Sequence, residues 1–464
     1  MTRRGRSLLR LLASVLLVVG VGIAGRATRV SDGAAPSRAT GTSVDTALVS
    51  PRRLPLVVQQ LAGAQLLQRD LDATLAPYEA CAAVDAAVGP VGRSDADRAL
   101  TPASTLKLVT GAAALATFGA EHRFTTRVVA AAPPVDGVVD GDLVLVGGGD
   151  PVLSTPEYEA FLRASPRHRL EPVTRLDDLA QRIASAGVRR VAGAIVTDDS
   201  RHDDVRFLPE WKLEYFLDGD VGRLSALTVD DANASFPGET RVDDPAAHAG
   251  AELVRLLEAR GVVVDGGSVR GVAPADAVEV ARIESPPLAE IVEAMITSSD
   301  NQTAELLVRE IGTTAGDGST ASGTAAEVAA LDALGVPLDG TTIVDGSGLA
   351  RANAVSCSTL VRVLTLRTRA GFEALDRGLA VAGRTGTLAE RLADPAIADR
   401  LRAKTGSLDG VSGLAGVVDG TSPIEFATLA VGDFGEDGGR AIQAAVATVL
   451  ARFPAVPVDL VPVP

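Results

Sequence analysis

The spacing of apolar residues along the chain predicts an alternation of helices and strands. Residues 54–75 repeat their leucines and valines at intervals of three and four, which is typical of an amphipathic helix. Shorter apolar runs bounded by turn-forming residues are typical of strands. The pattern predicts, in order, a helix over 54–75, a strand over 81–88, a helix over 101–118, strands over 124–131 and 138–146, a helix over 245–260, a strand near 262, helices over 288–296 and 303–311, strands over 414–418 and 425–431, and a final helix over 440–453. Helices that flank a sheet with antiparallel final strands indicate an α+β, or mixed α/β, architecture.

Residues 155–240 interrupt this regular pattern. They mix short helical and extended stretches and hold the only tryptophan of the chain, Trp211, together with two of its three tyrosines. We interpret residues 155–240 as an inserted subdomain that separates two parts of one larger domain, 54–154 and 241–464.

The N-terminal segment has the pattern of a targeting sequence. Four arginines precede an uncharged apolar run over residues 11–25. This arrangement is typical of a secretory signal, and the run is shorter than the ~20 residues of a typical membrane span. Cleavage after Ala27 would place small residues at both required positions, but Arg26 stands between them, so residues 1–27 can also be an uncleaved signal-anchor. In both cases we expect extracytoplasmic action, secreted or attached to the membrane, after a flexible linker over 28–53.

Composition and charge exclude several function classes. The 464 residues include 44 basic and 59 acidic side chains, and the net charge is −15, with no basic run beyond the N-terminus. Such an acidic chain is a poor nucleic-acid binder. The four histidines are scattered without the spacing of a helical metal pair, and two cysteines cannot form a four-cysteine zinc site. We therefore expect no metal and no nucleic-acid partner.

The two cysteines, Cys81 and Cys357, are expected to form a disulfide. An oxidising compartment outside the cytoplasm favours pairing wherever the geometry allows it. The alternative is two buried free thiols, because cysteine is among the most buried residue types.

Lysine is rare in this chain. Only Lys107, Lys212 and Lys404 occur among 44 basic residues. Arginine stays protonated in proteins, whereas a buried lysine can lose its proton. A position that keeps lysine in such a chain is therefore a candidate for proton transfer, and two of the three lysines lie in short motifs.

The first motif places Ser104 and Lys107 one turn apart on a predicted helix. A desolvated lysine amine can take the proton of the serine hydroxyl, which is a weak nucleophile without a base. The helix N-terminus favours the negative charge that develops on the oxygen. The alternative is a helix cap followed by a solvated amine.

The second motif is Ser299-Asp300-Asn301, between two predicted helices. A serine hydroxyl can relay a proton to a leaving amine, and an asparagine amide can hold a substrate carbonyl. The alternative is an ordinary turn between helices, in which these residue types are common.

The third motif is Lys404-Thr405-Gly406, followed by Ser407. Lysine and threonine on an edge strand can bind a substrate carboxylate, and glycine lets the substrate backbone approach closely. The backbone N–H of Ser407 can donate to an oxyanion. The alternative is a solvated strand end.

Together the three motifs resemble the active-serine penicillin-recognising signature. The first and second motifs lie 195 residues apart, which is too long for a compact class A β-lactamase. The chain resembles instead the D-alanyl-D-alanine carboxypeptidase/endopeptidase family, the class C low-molecular-mass penicillin-binding proteins. Strings similar to those of this family occur at 102–107, 148–151, 299–301 with Ala304 and Glu305, 345–349 and 383–388. The last string carries arginine where the third motif needs a lysine that can titrate.

This resemblance implies a penicillin-recognising serine transpeptidase-like (β-lactamase-like) α+β fold, with a subdomain inserted between the first two motifs. The insert is short for a family that often carries two extra domains there. The implied activity is that of an exported serine DD-peptidase on peptidoglycan stem peptides, without a cofactor and with β-lactams as covalent inhibitors. The implied roles are Ser104 as nucleophile, Lys107 as base, Ser299 as proton relay, Asn301 as holder of the substrate amide, Lys404, Thr405 and Gly406 as binders of the carboxylate and the substrate strand, and the N–H groups of Ser104 and Ser407 as oxyanion hole. Two alternatives stay open: a secreted serine β-lactamase or esterase, and a non-catalytic penicillin-binding wall sensor.

Overall fold

A computed structural model describes residues 54–236 and 240–455 of the chain. The predicted signal segment, 1–27, and the predicted linker, 28–53, lie outside these residues. The α-helices described are α1 (Leu54–Leu75), α2 (Lys107–Phe118), α3 (Pro156–Ala164), α4 (Leu176–Ser185), α5 (Leu213–Leu217), α6 (Pro245–Glu258), α7 (Leu288–Ala294), α8 (Asn301–Ala315), α9 (Thr320–Ala333), α10 (Cys357–Thr365), α11 (Ala374–Arg377) and α12 (Glu436–Ala451). The strands are β1 (Glu79–Ala86), β2 (Gly89–Ser94), β3 (Ala99–Leu100), β4 (Thr125–Ala130), β5 (Val138–Val139), β6 (Leu143–Val146), β7 (Leu153–Ser154), β8 (Thr174–Arg175), β9 (Arg190–Val191), β10 (Ile195–Asp198), β11 (Val263–Val264), β12 (Ser268–Arg270), β13 (Val278–Glu284), β14 (Val355–Ser356), β15 (Ala380–Val381), β16 (Leu401–Leu408), β17 (Val411–Val418) and β18 (Ile424–Val431).

The main sheet has six antiparallel strands in the order β15-β16-β17-β18-β1-β2. Helices cover both faces, so β17 is buried along its whole length. Along β1 the side chains alternate between two cores. Cys81 and Ala83 face the core that contains α2, α8 and α10, whereas Ala82 and Val84 face the core that contains α1 and α12. The sheet is therefore the middle layer of a helix–sheet–helix arrangement, which confirms the α+β prediction.

A second sheet has the order β12-β10-β6-β4-β13 and packs against α4 and α6 around its own core. One strand, β10, lies within the predicted insert, whereas β4 and β6 precede the insert and β12 and β13 follow it. This sheet therefore extends beyond residues 155–240, because four of its five strands lie outside the predicted insert. The position of the domain boundary itself stays a prediction.

The elements with the clearest apolar spacing are confirmed. α1 has the predicted bounds, and the predicted helix over 101–118 begins as a 3₁₀ turn at Ala103–Leu106 before α2. The sequence pattern did not predict α9, because its alanine-rich sequence has no clear apolar stripe. Within the residues that are described, no helix combines the length and apolar character of a membrane span.

The structure joins Cys81 of β1 to Cys357, the first residue of α10, in a disulfide. We therefore expect denatured but unreduced protein to contain no alkylatable thiol, because these are the only cysteines of the chain. With a sequence separation of 276 residues, the bond stabilises by roughly 5 to 6 kcal/mol in the chain-entropy model. Mass spectrometry after alkylation measures this, and reduced protein that takes up two alkyl groups is the control. Two alkyl groups on unreduced protein would contradict the pairing.

Candidate active site

The nucleophile candidate lies on a tight turn at the start of a buried helix. Ser104 belongs to the 3₁₀ turn Ala103–Leu106, which continues directly into α2. Ala103 has a positive φ of 47°, a backbone conformation that alanine rarely adopts. The turn packs tightly against Gly348, where an added Cβ would lie 2.0 Å from the Ala103 carbonyl oxygen. This packing holds the half-buried Ser104 at the helix N-terminus, where negative charge is favoured.

The amine of Lys107 has three hydrogen-bond partners. Its Nζ lies 2.9 Å from Ser104 Oγ, 2.6 Å from Asn301 Oδ1 and 2.7 Å from the carbonyl oxygen of Ser347. A neutral amine has two N–H bonds and one lone pair. Because an amide oxygen and a carbonyl oxygen can only accept, they take the two N–H bonds, and the lone pair is left for the Ser104 hydroxyl. The three contacts therefore suit a base for Ser104.

Burial makes the neutral form of this amine accessible. Lys107 is fully buried, and desolvation lowers its pKa from 10.5 to about 8, although the negative charge of Glu305 opposes the decrease. A lysine with this pKa is neutral in roughly one molecule in ten at pH 7, far more than a lysine with the ordinary pKa. Lysine is rare in the sequence but is present at this position. An arginine here would stay protonated and could not act as a base.

A second serine–lysine pair faces the first. Lys404 Nζ donates to Ser299 Oγ at 2.8 Å and to the Thr405 carbonyl oxygen at 2.9 Å. Burial, followed by the positive charge of Lys107, holds the pKa of Lys404 well below its usual value. Ser299 ends the π-helical turn Met295–Ser299 with a positive φ of 69°. Strained backbone of this kind is typical of functional sites.

Asn301 connects the first serine–lysine pair to the insert. Its Oδ1 accepts the hydrogen bond from Lys107, and its Nδ2 donates to the carbonyl oxygen of Asp220 at 2.8 Å. Its neighbour Gln302 accepts from the backbone N–H of Gly222 at 2.9 Å. The second motif is therefore held between α2 and the segment around residue 220.

The third motif lies on β16, beside the nucleophile turn. Only Ala403 and Arg402 of β16 pair with the short strand β15, so among the described strands none covers the same edge at residues 404–408. An added Cβ on Gly406 would lie 2.6 Å from the Pro102 carbonyl oxygen, so glycine allows the turn to approach the strand. Ser407 is exposed. The edge of β16 can therefore accept an extended substrate backbone.

Two side chains that support this strand were not predicted from the sequence. Gln443 of α12 donates from Nε2 to the carbonyl oxygens of Gly406 and Gly413, at 3.0 Å each, and its Oε1 accepts from Arg391 at 2.6 Å. Thr387 contacts Thr405, with 3.0 Å between the two Oγ1 atoms. A glutamine on the buried face of an apolar helix is the one sequence signal that could have pointed to Gln443.

A cavity of about 480 Å³ opens beside the second motif. Residues 298–301 form one wall, and aromatic side chains of the insert, among them Tyr158 and Phe161, form another. Arg167 of the insert donates from Nε to the Ser298 carbonyl oxygen at 3.0 Å. In the ranges that the structure describes, no three or more His, Cys, Asp or Glu side chains are grouped so that they could hold a metal ion.

The structure brings all eight sequence-predicted residues together. Hydrogen bonds link Ser104, Lys107 and Asn301, and others link Ser299 with Lys404. The remaining three, Thr405, Gly406 and Ser407, follow Lys404 on the same strand edge. Arg384, in the string similar to the third motif, bonds Asp399 and is not joined to this cluster.

Comparison with known proteins places the chain among cell-wall peptidases. A model of the D-Ala-D-Ala carboxypeptidase 3 (S13) family matches residues 86–237 and 231–453. A D-alanyl-D-alanine carboxypeptidase of Actinomadura sp. (strain R39) is 32% identical over 482 residues, which cover 84% of this chain and 86% of that protein. A carboxypeptidase of Mycobacterium tuberculosis is 32% identical over 368 residues, 76% of each chain. The crystal structure of penicillin binding protein 4 from Haemophilus influenzae shares the fold, with a TM-score of 0.68 and 21% identity over 82% of this chain and 97% of that one.

Proposed function

The chain belongs to the D-Ala-D-Ala carboxypeptidase 3 (S13) family, and we propose that it is a serine DD-peptidase that cleaves the D-Ala-D-Ala end of peptidoglycan stem peptides. The observation that carries this proposal is the contact of Lys107 Nζ with Ser104 Oγ, while Asn301 and Ser347 accept its other hydrogen bonds. This geometry supplies a nucleophile, a base and an orientation for the base.

Acylation follows from these contacts. Ser104 Oγ attacks the carbonyl carbon of the penultimate D-alanine, and its proton passes to Lys107 Nζ. The backbone N–H groups of Ser104 and Ser407 donate to the oxyanion that forms. The proton then reaches the leaving nitrogen through Ser299, the C–N bond breaks, and D-alanine leaves with a neutral amine. Water hydrolyses the Ser104 ester in a second step.

The terminal carboxylate of the substrate would lie against Lys404 and Thr405. A bound carboxylate raises the pKa of Lys404, because an opposite charge favours the protonated amine. The positive charge on Lys404 in turn favours the neutral form of Lys107. Substrate binding thus prepares the base for its role.

Incubation with benzylpenicillin tests this function. We expect the intact mass to increase by one penicilloyl group and peptide mapping to place the group on Ser104. Release of D-alanine from a pentapeptide is the matching substrate assay. Rapid turnover of the penicillin without D-alanine release would favour a β-lactamase or esterase, and no acylation at all would favour a non-catalytic wall sensor.

We further propose that the enzyme acts outside the cytoplasm, where its substrate lies. Residues 1–27 would direct export and would either be removed or remain as an anchor in the membrane. The N-terminal sequence of the protein recovered from membrane and soluble fractions distinguishes the two cases.

A further inference from the structure

A buried carboxylate lies behind the amine of Lys107. Glu305 follows Asn301 by one turn of α8 and is fully buried. Its Oε1 accepts from the backbone N–H of Gly346 at 3.0 Å and from that of Ser347 at 2.6 Å. The carbonyl oxygen of Ser347 accepts one of the two N–H bonds of the neutral Lys107 amine. One helix thus provides Asn301, which bonds Lys107 directly, and Glu305, which holds the turn that bonds it.

The turn at residues 345–348 depends on such anchors. Gly346 lies so close to α8 that an added Cβ would be 2.5 Å from the Ala304 carbonyl oxygen. Thr110 of α2 donates to the Gly346 carbonyl oxygen at 2.8 Å. Asp345 accepts from the N–H of Gly348 at 2.9 Å. Glu305 is the side chain that satisfies the two consecutive N–H groups next to the Ser347 carbonyl, so the direction of this carbonyl depends on it.

We propose that Glu305 is a positioning residue of acylation: its carboxylate fixes the Ser347 carbonyl, which directs the lone pair of Lys107 at Ser104, and its negative charge acts on the same amine. The inference rests on the proposed function of Lys107 as base. It assigns Glu305 two separable effects, one of geometry and one of charge.

The charge effect has a definite sign. The charged groups that act on Lys107 are Glu305, Asp300, Asp345, Arg167 and Lys404. Those that interact with Glu305 include Asp345, Arg309 and Glu327. Burial, followed by the charge of Asp345, raises the pKa of Glu305 itself to about 8, so its negative charge develops over the same pH range in which Lys107 loses its proton. This negative charge raises the pKa of Lys107, against the larger lowering by burial. Removal of this charge must lower the pKa of Lys107 further, so that the base becomes neutral at lower pH.

Two substitutions separate the effects. Glu305→Gln keeps an acceptor oxygen for both N–H groups and removes the charge. Glu305→Asp keeps the charge and withdraws the carboxylate from the turn. Glu327→Gln is the matched control: Glu327 is a fully buried glutamate of the neighbouring helix α9, with its pKa also raised by burial to about 8, and it bonds neither Gly346 nor Ser347.

The experiment measures the second-order acylation rate with a fluorescent penicillin as a function of pH. In the unchanged protein we expect the rate to rise with a midpoint near 8, the pKa of Lys107. Glu305→Gln should move the midpoint to lower pH by a few tenths of a unit or more, because Glu305 is only partly ionised in this range, with a plateau within a few-fold of the parent. Glu305→Asp should keep the midpoint and lose about tenfold or more of the plateau, because the base is misdirected. Glu327→Gln should keep the plateau and move the midpoint less than Glu305→Gln does, because Glu327 interacts with Glu305 by charge but is not among the groups that act on Lys107.

An unmoved midpoint in Glu305→Gln, or an undiminished plateau in Glu305→Asp, would overturn the proposal. Thermal melting shows whether each variant is folded, and failure of both Glu305 variants to fold would assign the residue a structural role instead. These outcomes differ from a failure of the proposed function, in which the unchanged protein would not be acylated on Ser104.

Discussion

Ser104→Ala is expected to abolish both covalent labelling by penicillin and release of D-alanine from a pentapeptide. Without the hydroxyl, no acyl-enzyme can form. The oxyanion donors and Lys107 then have no acylation step to accelerate. In a serine hydrolase, removal of the nucleophile costs on the order of 10⁶-fold in turnover. Gel fluorescence with a labelled penicillin and a D-alanine assay measure the two losses.

The control for this variant is Ser185→Ala, an exposed serine at the end of α4, which should leave both activities intact. The Ser104→Ala protein should also melt close to the parent temperature, because Ser104 is half-buried and the substitution removes one oxygen. Labelling that persists in Ser104→Ala and maps to Ser299 would show that the second serine–lysine pair carries the nucleophile.

Lys107→Arg has the second-largest expected effect, a loss on the order of 100-fold or more in the acylation rate. A guanidinium remains charged and cannot accept the Ser104 proton. It is also larger than the amine that fits between Asn301 Oδ1 and the Ser347 carbonyl oxygen. Lys404→Arg should keep more activity, because the proposed role of Lys404 is to present positive charge to a carboxylate, which a guanidinium can do with altered geometry.

The third lysine of the chain provides the control. Lys212 is exposed at the start of α5, and Lys212→Arg should acylate at the parental rate. Second-order rates with a fluorescent penicillin, taken after each variant is shown to be folded, rank the three substitutions. If Lys107→Arg acylates as fast as the parent, Lys107 is not the base. If Lys404→Arg lowers the acylation rate more than Lys107→Arg does, Lys404 is the base and Lys107 is the binder of the carboxylate.

The reacting side chains can be predicted from the sequence because their chemistry lies in short strings. Ser104 and Lys107 are one helical turn apart, so their contact follows from local geometry alone. Neither the contact of Lys404 with Ser299 nor that of Asn301 with Lys107 is local; both follow from the fold. Resemblance to a family placed these four residues in one site, but neither it nor residue spacing predicted the two contacts.

The supporting side chains could not be predicted in the same way. Glu305 and Gln443 act on backbone groups that are distant in sequence, and nothing in their local pattern names those partners. The insert poses a similar difficulty, because strands before residue 155 and after residue 240 complete its sheet. Sequence periodicity finds an element but not the strand that will pair with it.

The position of β1 in the main sheet determines when the protein can fold during its synthesis. β1 pairs with β18, so that Glu79 lies opposite Val431, and both faces of this junction contribute to the two large cores. Neither core can close until nearly the whole chain is available, and pairings of such separation make folding slow. A chain that emerges from its N-terminus therefore stays without its central strand pair until the end. For the export that we propose above, this means that the chain can cross the membrane before either core closes.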